Sequence, residues 1–416
     1  MMTQAFYTGI SGIRSNQYAI DVTSDNLANI STTGFRGSEY EFASLFEDAI
    51  HTSHSLNSSS IGIGSRIQAT ALKQGQGVLE KTDRSTDLAI LGDGWFGIQG
   101  EGNPIYTRDG AFTFDSNDDL VSLDGFHVLG TMGGNIDGTT LTADLEEVIL
   151  GDVGAQVALR FPESLTYPAK PSSIANFQGN IGTIGEVQTM GATVIDSFNN
   201  KNHLKLSFSA STPQVVPGSQ WDVVATTGTL DGTTIYDTQT ATLGFDAEGG
   251  LISNTLTSIN NNGATVDINI GSAFTGVVSI AGAITSSTSA DGTAGGDLEG
   301  YTVNRNGEVL ATFTNGEQSS VGKVAIYHFQ NDQGLTRING SKFEESSNSG
   351  RPVFYKNEAG ENVIGTTLTN YSLEGANIDM TYGITELIIL QRSFDANSKS
   401  ITTADQMMQK ALNMDA

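Results

Sequence analysis

Apolar residues recur at alternating steps of four and three over the first 30 residues of the chain. This spacing predicts a helix whose apolar face is a narrow seam that packs against another helix. Gly9 and Gly12 each weaken the first turns by about 1 kcal/mol relative to Ala, so this helix needs a partner, and Gly34 is its predicted end. The seam positions are Phe6, Ile10, Ile13, Ile20 and Leu27, with polar Gln17 and Ser24 between them.

The last 40 residues repeat this spacing. Polar residues within a seam cost stability but restrict register and partner choice. Two interpretations stay open: two amphipathic helices on one core, or helices that assemble with neighbouring subunits. Narrow seams at opposite ends of a strand-rich chain favour assembly. The second seam contains apolar Met380, Ile384, Leu387, Phe394, Ile401, Met408 and Leu412 and polar Gln391, Ser398 and Asp405.

Short runs of alternating apolar and polar residues fill the chain between the two helices. The runs from Leu204 to Phe208 and from Val266 to Ile270 are examples, and glycine, asparagine and aspartate separate such runs. This pattern predicts antiparallel sheets or barrels. The composition changes near the prolines of residues 162–171 and again near residues 295–300. The middle of the chain is therefore interpreted as an insertion in a domain whose two parts flank it.

The predicted fold class is mainly β with terminal α-helices, which pair as a coiled coil, and two β domains, the second inserted in the first. Each predicted unit has approximate bounds. The units are an N-terminal helix (1–35), a connecting segment (36–70), the first β domain (71–170, continued at 299–374), an inserted outer β domain (171–298) and a C-terminal helix (375–416).

The charge of the chain excludes some classes of partner. The formal net charge is −26, and no Lys or Arg lies between Lys205 and Arg305, where nine Asp or Glu residues occur. Nucleic acids and anionic membranes bind through Lys and Arg, so both are poor partners for this surface. The chain has no cysteine, which excludes disulfides, thiol catalysis and Cys-based metal sites.

The N-terminal residues lack the charged start and unbroken apolar stretch of a secretory signal. No stretch reaches the roughly 18 apolar residues that a membrane-spanning helix needs. We therefore expect a cytosolic protein, or one exported by a route that needs no such signal.

Three local patterns partly match known cofactor or metal sites. Gly92-Asp-Gly94-Trp-Phe-Gly97 has the spacing of a dinucleotide-binding loop, but the helix that should follow is replaced by residues rich in Gly, Pro and Asp. A turn between strands is the better interpretation. No Ser-His-Asp grouping or phosphate-binding loop is indicated, so no enzymatic activity, catalytic residue or cofactor is predicted.

Two patterns resemble metal sites only in part. Asp115, Asn117 and Asp119 have the first spacings of a calcium loop, whose later positions require Gly and Glu, and neither is present. A turn between strands is again the better interpretation. His51 and His54 share a helical face but lack a third ligand, so a polar surface stretch is favoured. No metal is predicted.

The two ends of the chain carry a more specific signal. The stretch Asn26-Leu27-Ala-Asn29-Ile-Ser-Thr32-Thr-Gly34-Phe35-Arg36 resembles the N-terminal signature of the flagellar rod and hook family. The stretch containing Glu374, Asn377 and Asp379 resembles the entry to the C-terminal helix of that family. Residues 87–96 and 106–112 are similar to motifs of its first β domain.

The inserted middle favours a hook subunit within this family. Rod proteins are typically shorter and lack a large insertion, whereas residues 194–206, 243–251 and 307–335 resemble hook motifs. Residues 254–289 match no known pattern, and the segment 291–295 lacks an expected aromatic residue. Two alternatives stay open: a distal rod or hook-associated structural protein, and a secreted enzyme or adhesin with a β core.

The resemblance implies a non-enzymatic subunit that polymerises into the flagellar hook, a flexible curved tube that acts as a universal joint. The implied partners are copies of itself, the rod and hook-associated junction proteins, the hook cap and the export apparatus. The implied location is extracellular, after export by the flagellar type III system. Because both helices leave the same domain, they should run antiparallel.

Overall fold

The computed structural model describes residues 2–46, 62–100 and 102–414. This part of the chain contains two long helices, α1 (Met2–Ala28) and α2 (Met380–Met414), and 33 strands between them. No helix in it is long and apolar enough to cross a membrane.

Strands β1 to β13 precede the predicted insertion. They are β1 (Ser38–Phe46), β2 (Gly62–Leu72), β3 (Leu79–Lys81), β4 (Leu88–Leu91), β5 (Trp95–Ile98), β6 (Ile105–Thr107), β7 (Phe112–Phe114), β8 (Leu120–Ser122), β9 (Leu129–Met132), β10 (Ile136–Asp137), β11 (Thr140–Leu141), β12 (Val157–Ala158) and β13 (Thr166–Tyr167).

Strands β14 to β23 lie within the predicted insertion. They are β14 (Ile174–Asn180), β15 (Gln188–Ile195), β16 (Lys201–Ala210), β17 (Ser219–Thr229), β18 (Ile235–Phe245), β19 (Leu251–Asn254), β20 (Ser258–Asn261), β21 (Ala264–Asn269), β22 (Val277–Val278) and β23 (Thr285–Ala290).

The remaining strands return to the first β domain. They are β24 (Gly296–Val303), β25 (Glu308–Phe313), β26 (Gln318–Val324), β27 (Ile326–Tyr327), β28 (Thr336–Asn339), β29 (Lys342–Glu344), β30 (Tyr355–Lys356), β31 (Asn362–Val363), β32 (Thr367–Asn370) and β33 (Ser372–Glu374).

The first β domain draws its core from two separate stretches of the chain. Its main cluster of buried residues joins residues 88–165 to residues 303–368. An eight-stranded sheet in the order β10-β11-β13-β24-β25-β26-β9-β12 combines strands from both stretches, and so does a five-stranded sheet in the order β27-β5-β6-β29-β28. The stretches on either side of the insertion therefore fold as one unit.

The outer β domain has its own core. The cluster is built from residues between Ala175 and Val277, with Trp221 fully buried among them. It lies between a sheet in the order β15-β16-β17-β18-β19 and a second sheet in which β14 pairs with β21, β22 and β23. The predicted alternating runs 204–208 and 266–270 lie in β16 and at β21, with their apolar residues buried.

Most neighbouring strands run antiparallel, as predicted. The exceptions are β11 with β13 and β14 with both β21 and β22, which pair in parallel. The alternation of apolar and polar residues defines a half-buried strand but not the direction of its neighbour.

Helix α1 ends at Ala28, earlier than the predicted stop at Gly34. The backbone oxygen of Asp25, in the last turn, accepts hydrogen bonds from the side chain of Asn29 at 2.9 Å and from its backbone N–H at 3.2 Å. Helix α2 begins only at Met380, because Asp379 acts as its N-cap and accepts a 3.0 Å hydrogen bond from the backbone N–H of Tyr382.

The two helices pack antiparallel against each other. Gly9 lies against Ile401, Gly12 against Asn397, and Gly383 near Leu27. A Cβ atom at Gly9 would lie 2.7 Å from Cγ1 of Ile401, and one at Gly12 would lie 2.8 Å from Nδ2 of Asn397. The two glycines that lower the helix propensity of α1 are therefore what allows α2 to approach.

The residues of α1 that are buried within the chain are small or polar. They contact α2 and the hairpin formed by β1 and β2, and one example is Ser15, whose hydroxyl donates a 3.0 Å hydrogen bond to the backbone oxygen of Ser65. This stripe lies beside the predicted apolar seam and not on it. It consists of Gly9, Gly12, Ser15, Ala19, Thr23 and Asn26.

The predicted fold class is confirmed: the chain is mainly β, its terminal helices contact each other, and a second β domain is inserted in the first. The bounds given for the individual domains stay a prediction.

We expect Gly9→Leu to weaken the helix pair. Overpacking at this contact costs about 1–3 kcal/mol, more than the gain of under about 1 kcal/mol in helix propensity. Hydrogen exchange of residues 6–28 in the soluble chain should become faster. Gln17→Leu, at an exposed position of the same helix, is the matched control and should leave the exchange unchanged; equal exchange in both variants would contradict the close packing.

Candidate assembly interface

A buried carboxylate lies where both helices join the first β domain. Glu374, at the end of β33, is 1% exposed and pairs with two guanidinium groups. Its Oε1 lies 3.0 Å from Nη2 of Arg36, and its Oε2 lies 3.3 Å from Nη1 of Arg108. Gly77 donates a backbone hydrogen bond of 3.0 Å to Oε1. We call Arg36, Arg108 and Glu374 the root cluster.

The electrostatics of the root cluster follow from its burial. Burial, and then the nearby charge of Arg36, lower the pKa of Arg108 to about 10, although Glu374 acts in the opposite direction. Burial also lowers the pKa of Arg36. Arginine keeps its charge at neutral pH in proteins, so the two guanidinium groups compensate the carboxylate. A buried ion pair of this kind is costly to break, because removing one partner leaves an uncompensated charge.

The N-terminal motif is pressed against the first β domain next to this cluster. Gly34 has a φ of +66° and donates a 2.7 Å hydrogen bond to the backbone oxygen of Glu374. A Cβ atom at Gly34 would lie 2.3 Å from the backbone nitrogen of Asp109. Phe35 is buried, and the guanidinium of Arg337 lies 4.6 Å from the centre of its ring. Only glycine fits the first of these positions.

Two asparagines of the predicted motif fasten the chain on either side of the root cluster. Asn26 exchanges two hydrogen bonds of 2.8 Å with the backbone of Ser38. Asn377 accepts a 2.7 Å hydrogen bond from Gly37 and donates 2.9 Å hydrogen bonds to the backbone oxygens of Lys73 and Gly75. These amides hold the start of the hairpin against the ends of both helices.

The other motif residues shape the turns at the helix ends. Thr32 donates a 3.3 Å hydrogen bond to the side chain of Asn29, and its backbone N–H donates to the backbone oxygen of Asn29 at 3.0 Å. Leu27 is half-buried beside Gly383, and Asp379 caps α2. The structure therefore brings the motif residues from both ends of the chain together at one junction.

Three contacts at this junction were not found from the sequence. Residues 106–112 are similar to a family motif, but this similarity assigns no role to Arg108. Nothing in the sequence around Arg337 indicates its contact with Phe35. The hydroxyl of Tyr40 donates a 2.6 Å hydrogen bond to Glu386 of α2. Burial, and then Glu386, raise the pKa of this tyrosine, so the hydroxyl stays a donor and links the hairpin to α2.

The predicted seam residues divide into two groups in the single chain. Leu387, Phe394, Ile401 and Met408 of α2 are half-buried, as are all five apolar seam residues of α1, namely Phe6, Ile10, Ile13, Ile20 and Leu27. Ile384 and Leu412 are 42% and 73% exposed. Leu412 lies beyond the start of α1 in the antiparallel register.

Helix α2 carries further exposed apolar residues next to the seam. Ile388 is 47% exposed and Ile389 is 58% exposed; we call these two residues and Ile384 the apolar face of α2, which the described chain covers only in part. Exposed apolar patches of this kind mark surfaces for protein association. The role of the seam residues in assembly stays a prediction.

Two of the three patterns that partly match cofactor or metal sites lie in the described residues, and both have structural roles. Residues 92–94 form the turn between β4 and β5, and a strand follows the glycines where a cofactor loop would need a helix. Asp115 accepts hydrogen bonds from the backbone of Asn117 and Asp119 and so forms the turn between β7 and β8. Both interpretations as turns are confirmed. His51 and His54 lie outside the described residues.

Comparison with protein families gives three matches. Residues 6–36 match the family described as flagella basal body rod protein, residues 89–165 match the flagellar hook protein FlgE/F/G D1 domain, and residues 369–414 match the flagellar basal body rod FlgEFG protein C-terminal family. The first and third of these include the residues that meet at the root cluster from the two ends of the chain.

Similarity to individual proteins extends over the whole chain. The flagellar hook protein FlgE of Borreliella burgdorferi is 28% identical, and that of Escherichia coli K12 is 27% identical; each alignment covers 99% of this chain and 100% of the relative. The crystal structure of the Helicobacter pylori flagellar hook protein FlgE2 aligns with a TM-score of 0.52 at 14% identity, covering 71% of this chain and 100% of that one.

A helix pair rooted in a buried ion cluster, with a partly uncovered apolar face, fits a structural subunit of an assembly. The chain belongs to the flagellar rod and hook family. Its function is that of a hook subunit, which confirms the predicted function, and it is a structural protein and not an enzyme. Its place is in the flagellum, where subunits of this kind self-assemble.

We expect Glu374→Gln to destabilise the first β domain by about 3–5 kcal/mol, because it leaves two buried guanidinium groups without a carboxylate. Urea unfolding followed by tryptophan fluorescence would measure the loss. Glu80→Gln makes the same change at an exposed position of β3, the strand paired with β33, and should cost little. Equal stability of the two variants would show that the root cluster does not hold the junction.

Proposed function

We propose that this chain polymerises with copies of itself into the curved tube of the hook and transmits torque from the basal body to the filament. The observation that carries the proposal is the apolar face of α2, which stays exposed although α2 already packs against α1. Covering such a surface with another subunit is favourable, because it removes apolar area from water.

The dimensions of the helices suit the inner wall of a tube. At 1.5 Å per residue, α1 and α2 are about 40 Å and about 50 Å long. Both leave the first β domain at the root cluster, so they would point together toward the axis of the tube. In this arrangement the first β domain forms the middle layer and the outer β domain forms the surface.

The two ends of the subunit differ in the kind of contact they can make. The helix pair offers apolar residues, which favour tight and lasting packing. The segment between Lys205 and Arg305, which makes up most of the outer domain, carries no Lys or Arg, so neighbouring outer domains would repel one another. Small and hydrated contacts can rearrange as a tube bends, whereas large apolar contacts resist rearrangement.

The remaining parts of the proposal follow from membership of the family. The chain would leave the cell through the flagellar type III export apparatus and assemble outside the cell under a hook cap. Its neighbours at the ends of the tube would be the rod and the hook-associated junction proteins.

We expect Ile384→Asp to block polymerisation of the purified chain, because a carboxylate on the apolar face of α2 would lose its water in the assembled tube. Electron microscopy would show tubes for the parent chain and none for this variant. Ile384→Leu keeps an apolar side chain of similar volume and should still form tubes.

Fluorescence from the buried Trp95 in the first β domain and Trp221 in the outer domain would show that Ile384→Asp leaves both β domains folded. Tubes formed by Ile384→Asp would contradict the role of this face. Straight tubes from the parent chain would contradict the hook geometry, since a hook is curved.

A further inference from the structure

The first and outer β domains are joined by a ribbon of two antiparallel strands. On the side of the first domain, Thr166 pairs with Asp297 and Tyr167 with Gly296. At the boundary, Lys170 and Thr293 exchange two backbone hydrogen bonds of 2.8 and 2.9 Å. On the outer side, β14 pairs with β23 from Ala175 and Ala290 onward. The ribbon is thus nearly continuous from one domain to the other.

Prolines interrupt the ribbon at the boundary. The register that pairs Lys170 with Thr293 places Pro168 opposite Gly295. Proline has no N–H group, so this pair cannot form the two hydrogen bonds of a regular ladder. Pro171 follows on the same strand. The carbonyl oxygen of Gly295 therefore lacks its donor in the ladder, and the ribbon is weakest at this point.

Two asparagines, one from each domain, bind the returning strand beside this weak point. Asn199, in the turn between β15 and β16 of the outer domain, accepts a 2.8 Å hydrogen bond from the backbone N–H of Gly295. Asn315, in the turn between β25 and β26 of the first domain, donates a 2.7 Å hydrogen bond to the backbone oxygen of Ala294. Neighbouring residues of one strand are thus held from opposite sides of the boundary.

We propose that Asn199 and Asn315 are positioning residues that set the angle between the first and outer β domains of the subunit. Each side chain fixes the connecting strand to its own domain at the point where the ladder is weakest. With both hydrogen bonds formed, the connecting strand is fixed to both domains, and the angle between the domains is fixed with it. If either hydrogen bond is lost, the ribbon can bend at the prolines, and the angle between the two domains can vary.

Asn199 is a hydrogen-bond acceptor and Asn315 is a donor, so the same substitution, Asn to Asp, should affect the two positions differently. Asn199 acts through its oxygen, which Asp also provides, so Asn199→Asp keeps the contact. Asn315 acts through its NH₂ group, so Asn315→Asp loses the donor and places a carboxylate against the oxygen of Ala294. The Oδ1 atom of Asn315 also accepts a 3.0 Å hydrogen bond from Glu317, which Asp would retain.

A third variant removes the contact of Asn199 without straining its turn. Asn199 has a φ of +65°, a conformation that glycine adopts freely. Asn199→Gly therefore keeps the backbone and deletes only the side chain.

The angle between the domains can be measured by electron paramagnetic resonance, because the chain has no cysteine of its own. Spin labels on Ser116→Cys in the first domain and Thr189→Cys in the outer domain, both at exposed positions, report the distance between the domains in the full-length unpolymerised chain. The buried tryptophans Trp95 and Trp221, one in each domain, report whether each domain remains folded.

We expect Asn199→Gly and Asn315→Asp each to broaden the distance distribution, raising the population outside the parent peak roughly fivefold, the effect of one lost hydrogen bond. Asn199→Asp should keep the parent distribution. Parent-like widths in Asn199→Gly and Asn315→Asp with both tryptophans still buried would overturn the proposal, and so would equal broadening by Asn199→Asp and Asn199→Gly. Unfolding of a domain in both broadening variants would show that the asparagines support the domains themselves and would also overturn it.

Discussion

The carboxylate of Glu374, buried between the guanidinium groups of Arg36 and Arg108, is the interaction on which the subunit depends. Its three members come from the segment after the first helix, from the first β domain and from the strand before the second helix. A carboxylate removed from water is stable only with its counter-charges in place. The packing of each of the three segments therefore depends on the other two. Because the cluster lies beside the ends of both helices, both leave the domain from one point.

The helix pair built on this root separates contacts within the chain from contacts between chains. The first helix presents a stripe of small and polar residues to its own hairpin and to the second helix, while the apolar side chains beside this stripe remain partly exposed. Small residues allow backbones to approach closely, whereas larger apolar ones gain most from being covered by a new surface. The subunit can thus hold its helices together without using up the residues suited to assembly.

Much of this architecture could be predicted from the sequence, because element types are encoded in local periodicity. The steps of four and three, and alternations such as Leu204 to Phe208, predict helices and strands correctly. Periodicity carries no information on which helix face is covered by the same chain, so the buried stripe was missed. The stacking of Arg337 on Phe35 joins residues far apart in sequence, and no local pattern signals it.

The ribbon between the β domains has a consequence for how such subunits diversify. Its two strands enter and leave the outer domain side by side, so that domain is attached at one point of the first domain's surface. Insertions at a site whose ends are adjacent leave the host fold intact. In the proposed tube, the outer domain could therefore be enlarged, shortened or exchanged during evolution without disturbing the bore, so that the outer diameter changes while the channel stays constant.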